Sequence, residues 1–217
     1  CHYATEAIGP IRYQAFGRRV DDNATESETG QLRSVVGSLG WIARQSRPDL
    51  SYSVSAGQSA VCNAKIKDLK DANDAVEQAK AYSKAGIYYD SKALSWGNMC
   101  IVTVTDASFA QETVHEPDGT EKPHRTQKAF MNLIMNPEIL NKDSGGCHIW
   151  GWRSLTDKRV CRATLQGEAH GMLSGTEMGD RLRAIICDCK GYITDMRDWQ
   201  KTCSEHMRHL WLTDCES

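Results

Sequence analysis

The sequence predicts a mixed α/β domain, a sheet with one long packed helix, preceded by a module that is all helix. Two observations predict it. Apolar residues recur at helical spacing from Gln31 to about Ala85, and β-branched runs then begin near residue 90 and bracket one more long helical stretch. At 217 residues, 40% hydrophobic and 25% charged, the chain is long enough to bury a core, which excludes disorder over its whole length. A net charge of −2 excludes a globally basic nucleic-acid coat but leaves room for a local basic patch. No window nears the ~20 consecutive apolar residues of a membrane span, so no membrane partner is expected.

The first ~30 residues are polar and turn-rich, with Gly9-Pro10 and Asp21-Asp22-Asn23, and read as linker. From Gln31, the residues Leu32, Val35, Val36, Leu39, Ile42 and Ala43 form one apolar stripe. That helix must stop before Arg47-Pro48, because proline disfavours helical geometry in its predecessor and lacks a donor. A second helix follows Pro48-Asp49 as far as Ala60-Val61. A third runs from Ile66 to Ala85, with Leu69, Ala72, Ala75, Val76, Ala79 and Tyr82 on its apolar face.

The character then changes. Gly86 to Tyr89 and Ala93 to Trp96 read as short strands, and Cys100 to Asp106 as the best strand in the chain. Further strands are expected at Ala129–Met135, Gly146–Arg153 and His209–Asp214, with a long helix from Ala163 to Cys189. The domains implied are 1–30 as linker, 31–90 as helical module and 91–217 as the α/β domain.

Three carboxylates stand out. Asp106 closes the apolar strand on the face of Val102 and Val104. Glu168 begins a helical stripe that continues through Met172, Gly175, Gly179, Leu182 and Ile186. Asp214 closes the last strand behind Leu210 and Leu212. An acid on an apolar face is costly unless paired, hydrogen-bonded or metal-bound. A salt bridge or cap is the structural alternative for each, whereas the three together suggest oxygen ligands for Mg²⁺ or Mn²⁺. Glycines at 167, 171, 175 and 179 leave a stripe without side chains, each costing roughly 1 kcal/mol against alanine, and suggest close approach of helix to sheet. Arg153, Lys158, Arg159 and Arg162 form a basic cluster before Glu168 that reads either as a surface turn or as phosphate contacts.

Other residues are weaker candidates. Cys203, His206 and His209 offer an atypically spaced zinc set, weighed against a solvated helix or loop. Cys187 and Cys189 read as half-buried thiols, and Asp180, Arg181 and Arg183 as a solvated helix face. His170 points away from the Glu168 face. The nine cysteines contain no CxxC pair and read as free thiols of a reducing, intracellular compartment.

The stretch from Gln31 to Ala43, followed by Arg47-Pro48-Asp49-Leu50-Ser51-Tyr52, closely resembles a segment of copia-like retrotransposon polyproteins just downstream of the reverse transcriptase palm. Ala72 to Ala75 is similar to that family's next helix. Thr105-Asp106-Ala107-Ser108-Phe109-Ala110 resembles the strand end that carries its first ribonuclease H carboxylate. Trp152-Arg153-Ser154 through Leu165-Gln166-Gly167-Glu168-Ala169 resembles the segment with the second, and Leu212-Thr213-Asp214-Cys215-Glu216-Ser217 the strand end with the third. The resemblance covers roughly residues 30–217.

What the resemblance implies is a connection module followed by a ribonuclease H-like domain, within a Pol polyprotein. Asp106, Glu168 and Asp214 would hold two Mg²⁺ (or Mn²⁺) ions and cleave the RNA strand of an RNA–DNA hybrid in the cytoplasm or nucleus, beside an upstream reverse transcriptase domain. The family's Tyr-x-Asp-Asp polymerase motif is absent from this sequence. The chain begins at Cys1 and ends at Ser217, and both ends are expected to be cuts in a longer polypeptide, with a C-terminal truncation that leaves the fourth carboxylate beyond Ser217. An inactive relic or a hybrid-binding, tethering module with the same fold is the alternative. A third reading, a helical interaction domain with an unrelated α/β tail, predicts acids separated by well over ~8 Å, set against the ~4 Å between paired catalytic ions.

Overall fold

The computed structural model describes residues 3, 6–115, 121–142, 144–157 and 159–214. These fall into two compact units. One comprises Cys1–Ile87, Phe109–Gln127 and Ser154–Val160; the other comprises Tyr88–Ser108, Lys128–Arg153 and Cys161–Ser217.

The first unit is built on three helices, α1 (Glu26–Gln45), α2 (Ser51–Ala60) and α3 (Ile66–Ala81). Helix α1 starts five residues earlier than its apolar stripe because Thr25 and Glu28 form a capping box. The Glu28 backbone N–H donates to Thr25 Oγ1 at 3.2 Å, and the Thr25 N–H donates to Glu28 Oε2 at 2.8 Å. The stripe itself is core: Leu32, Val35, Val36, Leu39, Ile42 and Ala43 are all buried, packed with Leu50, Val54, Leu69 and Val76.

The Arg47-Pro48-Asp49 turn does more than end α1. Arg47, only 3% exposed, grips Asp49 with Nε and Nη2 at 2.8 and 2.7 Å. Its Nη1 donates to the carbonyls of Ala79 (3.3 Å) and Tyr82 (2.9 Å). Those carbonyls lie at the end of α3, where intrahelical donors run out; the Tyr82 carbonyl also accepts from the Ala85 N–H at 2.9 Å. The helix therefore stops at Ala81 and not at Ala85, and Tyr82 lies exposed instead of completing the apolar face.

The second unit carries most of a four-stranded mixed sheet of order β3-β2-β1-β4, from β1 (Cys100–His115), β2 (Glu121–Met135), β3 (Cys147–Thr156) and β4 (His209–Thr213). The connections from β1 to β2 and from β2 to β3 are too short for a parallel crossover, so these strands form an antiparallel meander. Between β3 and β4 lie α4 (Thr164–Cys189) and α5 (Trp199–His206), and this long connection brings β4 back parallel to β1. Helix α5 lies in a stretch for which the sequence predicts no element. Residues 86–96 form turns and irregular chain, not the two expected short strands; Tyr88 there is 83% exposed.

Helix α4 packs on the sheet through its glycines. A Cβ on Gly175 would lie 2.6 Å from Thr103 Cγ2, and one on Gly179 would lie 2.6 Å from the His209 ring. Below them Ile101, Ile134, Leu182, Ile186, Cys187, Cys203 and Met207 close the core of this unit. Of the expected stripe of α4, Glu168, Gly175, Gly179, Leu182 and Ile186 are buried, while Met172 is only half-buried.

Candidate metal centre

The register between β1 and β4 fixes the site. Ile101 stands opposite His209, and the pairing runs in step to Thr105 opposite Thr213. The next residue along each strand path is an acid: Asp106, which lies within β1 and not at its end as the sequence suggests, and Asp214, directly after β4, so the two stand side by side. The first turns of α4 supply Glu168, whose side chain is turned to the sheet with the rest of the buried stripe.

Ligand oxygens of Asp106, Glu168 and Asp214 all lie within 4.8 Å of one another. The widely separated acids of the third sequence reading are thus not what the structure has. Asp106 and Asp214 are exposed, while Glu168 is 5% exposed. Glu168 Oε1 accepts a hydrogen bond from the Ala107 N–H at 3.0 Å. Its Oε2 is buried and has no hydrogen-bond partner among the described residues. Burial pushes the Glu168 carboxyl above the usual range; the Ala107 N–H pulls it back, and the charges of Asp106 and Asp214 push it further up.

That donor set fits a hard divalent cation. Three carboxylates converge, one oxygen among them is buried and unsatisfied, and the two exposed acids leave an open side for water or substrate. The group contains neither nitrogen nor sulfur ligands, which speaks against a zinc-type site.

The basic residues are less concentrated. Arg153, on β3, and Arg162, just before α4, are exposed and belong to the unit that holds the acids; Arg159 is exposed in the other unit. Lys158 lies outside the described residues. The Arg162 backbone N–H donates to Gln166 Oε1 at 2.9 Å, which steadies the start of α4.

The weaker candidates separate on burial. Cys203 and His209 are buried, while His206 is exposed and stacks on Tyr192 with ring centroids 4.2 Å apart. His209 is committed elsewhere, with Nδ1 2.9 Å from Asp180 Oδ1 and Nε2 2.8 Å from Thr103 Oγ1. Asp180 is therefore not merely part of a solvated helix face; it also pairs with Arg183 at 3.1 Å. Cys187 is fully buried and Cys189 exposed, so the two thiols are not alike. The Nδ1 of His170 sits 3.8 Å from the Cys161 sulfur.

Sequence reasoning misses the Thr103–His209–Asp180 chain. Its one visible signal is a histidine opening an otherwise apolar strand, and the zinc reading absorbs that signal. Comparison with protein-family models, curated proteins and solved structures finds no match. Among the described residues, no helix is long and apolar enough to cross a membrane.

Proposed function

We propose that this chain is the connection and ribonuclease H segment of a copia-like retrotransposon polyprotein, and that its chemistry is hydrolysis of RNA in RNA–DNA hybrids. The observation that carries the reading is the meeting of Asp106, Glu168 and Asp214 within 4.8 Å, because these are the three acids that the resemblance assigns. The mixed sheet with one long helix packed against it agrees with the ribonuclease H-like fold that the resemblance implies.

Bound divalent ions, Mg²⁺ or Mn²⁺, supply an activated water and charge stabilisation at the departing oxygen. The protein's part is to hold them. Glu168 is fixed at one oxygen by the Ala107 N–H, which leaves the other free to take a cation. Asp106 and Asp214 are set by the strand register and face solvent, on the side from which a hybrid approaches. Recognition of RNA rests on the 2′-hydroxyl and groove shape, not on base sequence. Arg153, Lys158, Arg159 and Arg162 are assigned phosphate contacts, and such contacts position a strand without reading sequence. In the intact polyprotein the partner is the upstream reverse transcriptase domain, and the compartment is the cytoplasm or nucleus.

The test uses a hybrid labelled on its RNA strand, with RNA alone and duplex DNA as controls. Wild-type protein should cleave the hybrid only with Mg²⁺ or Mn²⁺, and Asp106→Asn should abolish cleavage. Unchanged cleavage by Asp106→Asn sinks the assignment. Hybrid binding without any cleavage points to the non-catalytic tethering module.

A further inference from the structure

We infer that His209 is a positioning residue for the metal centre, holding the three acid-bearing elements in register; the inference rests on the metal-site reading above. Each acid comes from a different element: Asp106 from β1, Glu168 from α4, and Asp214 from the residue after β4. His209 opens β4. Its Nδ1 is 2.9 Å from Asp180 on α4, and its Nε2 is 2.8 Å from Thr103 on β1. One imidazole thus links all three elements, five residues from Asp214 and without touching any of the acids.

The fit around the ring is close. The His209 side chain is 1% exposed. It occupies the space that a side chain at position 179 would need, since a Cβ there would come within 2.6 Å of the ring. Thr103 is itself fully buried, and its hydroxyl donates to Asn132 Oδ1 on β2 at 2.5 Å. The link therefore extends across β4, β1 and β2 under the helix.

The rest of β4 is less well buried than its first residue. Leu210 is half-buried, and Trp211, Leu212 and Thr213 are exposed. Trp211 also reaches α4, with Nε1 donating to Thr176 Oγ1 at 2.8 Å, but that contact is exposed. Removing the imidazole leaves the ladder with β1 and frees the strand to shift against α4, so that Asp214 moves relative to Glu168. Partners hydrogen-bonded directly to metal ligands typically change affinity by about 10–100-fold when lost, and His209, one step further back, should act at the low end of that range.

The two ring nitrogens can be tested apart. His209→Leu removes both links, His209→Asn places an amide where Nδ1 met Asp180, and His209→Gln places one where Nε2 met Thr103. Binding of Mn²⁺ alone is measured by electron paramagnetic resonance on the full chain, with folding followed by circular dichroism. His209→Leu should bind Mn²⁺ about tenfold more weakly, and Asn and Gln should each recover part of the loss. A folded His209→Leu protein with wild-type affinity overturns the inference. If that variant does not fold, Asp180→Asn takes its place: weaker Mn²⁺ binding supports the inference and wild-type affinity overturns it. Asp106→Asn is the control. If it binds Mn²⁺ like wild type, the metal-site reading itself fails; if it loses binding while the His209 variants do not, only the positioning role fails.

Discussion

The backbone N–H of Ala107 donates to one oxygen of Glu168 at 3.0 Å, and the other oxygen of that carboxylate is buried without a partner among the described residues. The residue that follows one acid thus orients the next. The charges that act on the Glu168 carboxyl are those of two further carboxylates, Asp106 and Asp214. In the absence of metal this arrangement opposes folding, and a bound cation relieves it.

The sign follows from linkage. Burial raises the folded-state pKa of Glu168, so its contribution favours folding at pH below the unfolded value and is lost as pH rises through the folded one. At neutral pH, ionised Glu168 costs stability. Glu168→Gln should therefore raise the melting temperature of the metal-free protein by about 2–4 °C, for a gain of roughly 1 kcal/mol. The gain should shrink as pH falls through the carboxylate range. Saturating Mg²⁺ should raise the wild-type melting temperature and leave Glu168→Gln and Asp106→Asn unmoved; at ten times Kd the expected stabilisation is about 1.4 kcal/mol. Thermal melts at several pH values with and without Mg²⁺ measure all of this.

The glycines of α4 divide into two kinds. At Gly175 and Gly179 an added methyl would press on Thr103 and Phe130, or on His209 and Asn132, at 2.6–3.1 Å. At Gly171 it would meet Lys128, Ala129 and Asp106 only at 3.8–3.9 Å, an ordinary contact. Gly171→Ala should stabilise by about 0.5–1 kcal/mol through helix propensity. Gly175→Ala and Gly179→Ala should each destabilise by about 1–3 kcal/mol through overpacking. Chemical denaturation of the three variants checks the contrast.

Helices α1 to α4 were legible, and the short α5 was not, because an apolar period and chemical stops mark the first four: Arg47-Pro48 ends α1, and the stripe from Glu168 to Ile186 gives the buried face of α4. The three acids were legible for a related reason, since each sits where an apolar pattern begins or ends. The failures share a cause too. The run Ile87-Tyr88-Tyr89 has strand-forming side chains, but a strand needs a neighbour to pair with, and among the described residues none pairs there. The end of α3 depends on Arg47, 32 residues away from Ala79, and no local pattern carries that. The role of His209 depends on Thr103 and Asp180 together, which only the folded chain brings to one ring.

The cysteines offer a test of the core. Cys62, Cys147 and Cys189 are exposed, whereas Cys100, Cys161, Cys187 and Cys203 are buried. Burial, with Cys187 beside it, pushes the Cys203 thiol up to about 11, which leaves almost no thiolate at neutral pH. Since the thiolate is the nucleophile, brief alkylation of the native protein should, among these seven cysteines, modify Cys62, Cys147 and Cys189 and spare the other four. Denaturant should open all of them to the reagent, and peptide mapping by mass spectrometry reads the difference. Rapid native labelling of Cys203 or Cys187 would contradict the packing of α5 on α4.

Arg47 and Asp49 should contribute to the acid stability of the helical unit. The Arg47 guanidinium holds the Asp49 carboxyl below the usual aspartate range, chiefly through their paired hydrogen bonds. A depressed pKa contributes stability above the unfolded value and loses it as pH falls through the folded one. Asp49→Asn should therefore be less stable than wild type at neutral pH, with the gap closing in strong acid. Asp49 is partly exposed, with 42% of its side chain accessible, so solvent screening keeps the loss modest, about 1 kcal/mol. Arg47→Ala should cost more, about 3 kcal/mol, because it also takes a donor from the Ala79 and Tyr82 carbonyls and empties a buried site. Arg47→Lys should fall between the two, since a single ammonium cannot serve the carboxylate and both carbonyls at once. Urea titrations at neutral and acidic pH order the three variants, and equal stability of Arg47→Ala and Asp49→Asn would refute the capping role of Arg47 at the end of α3.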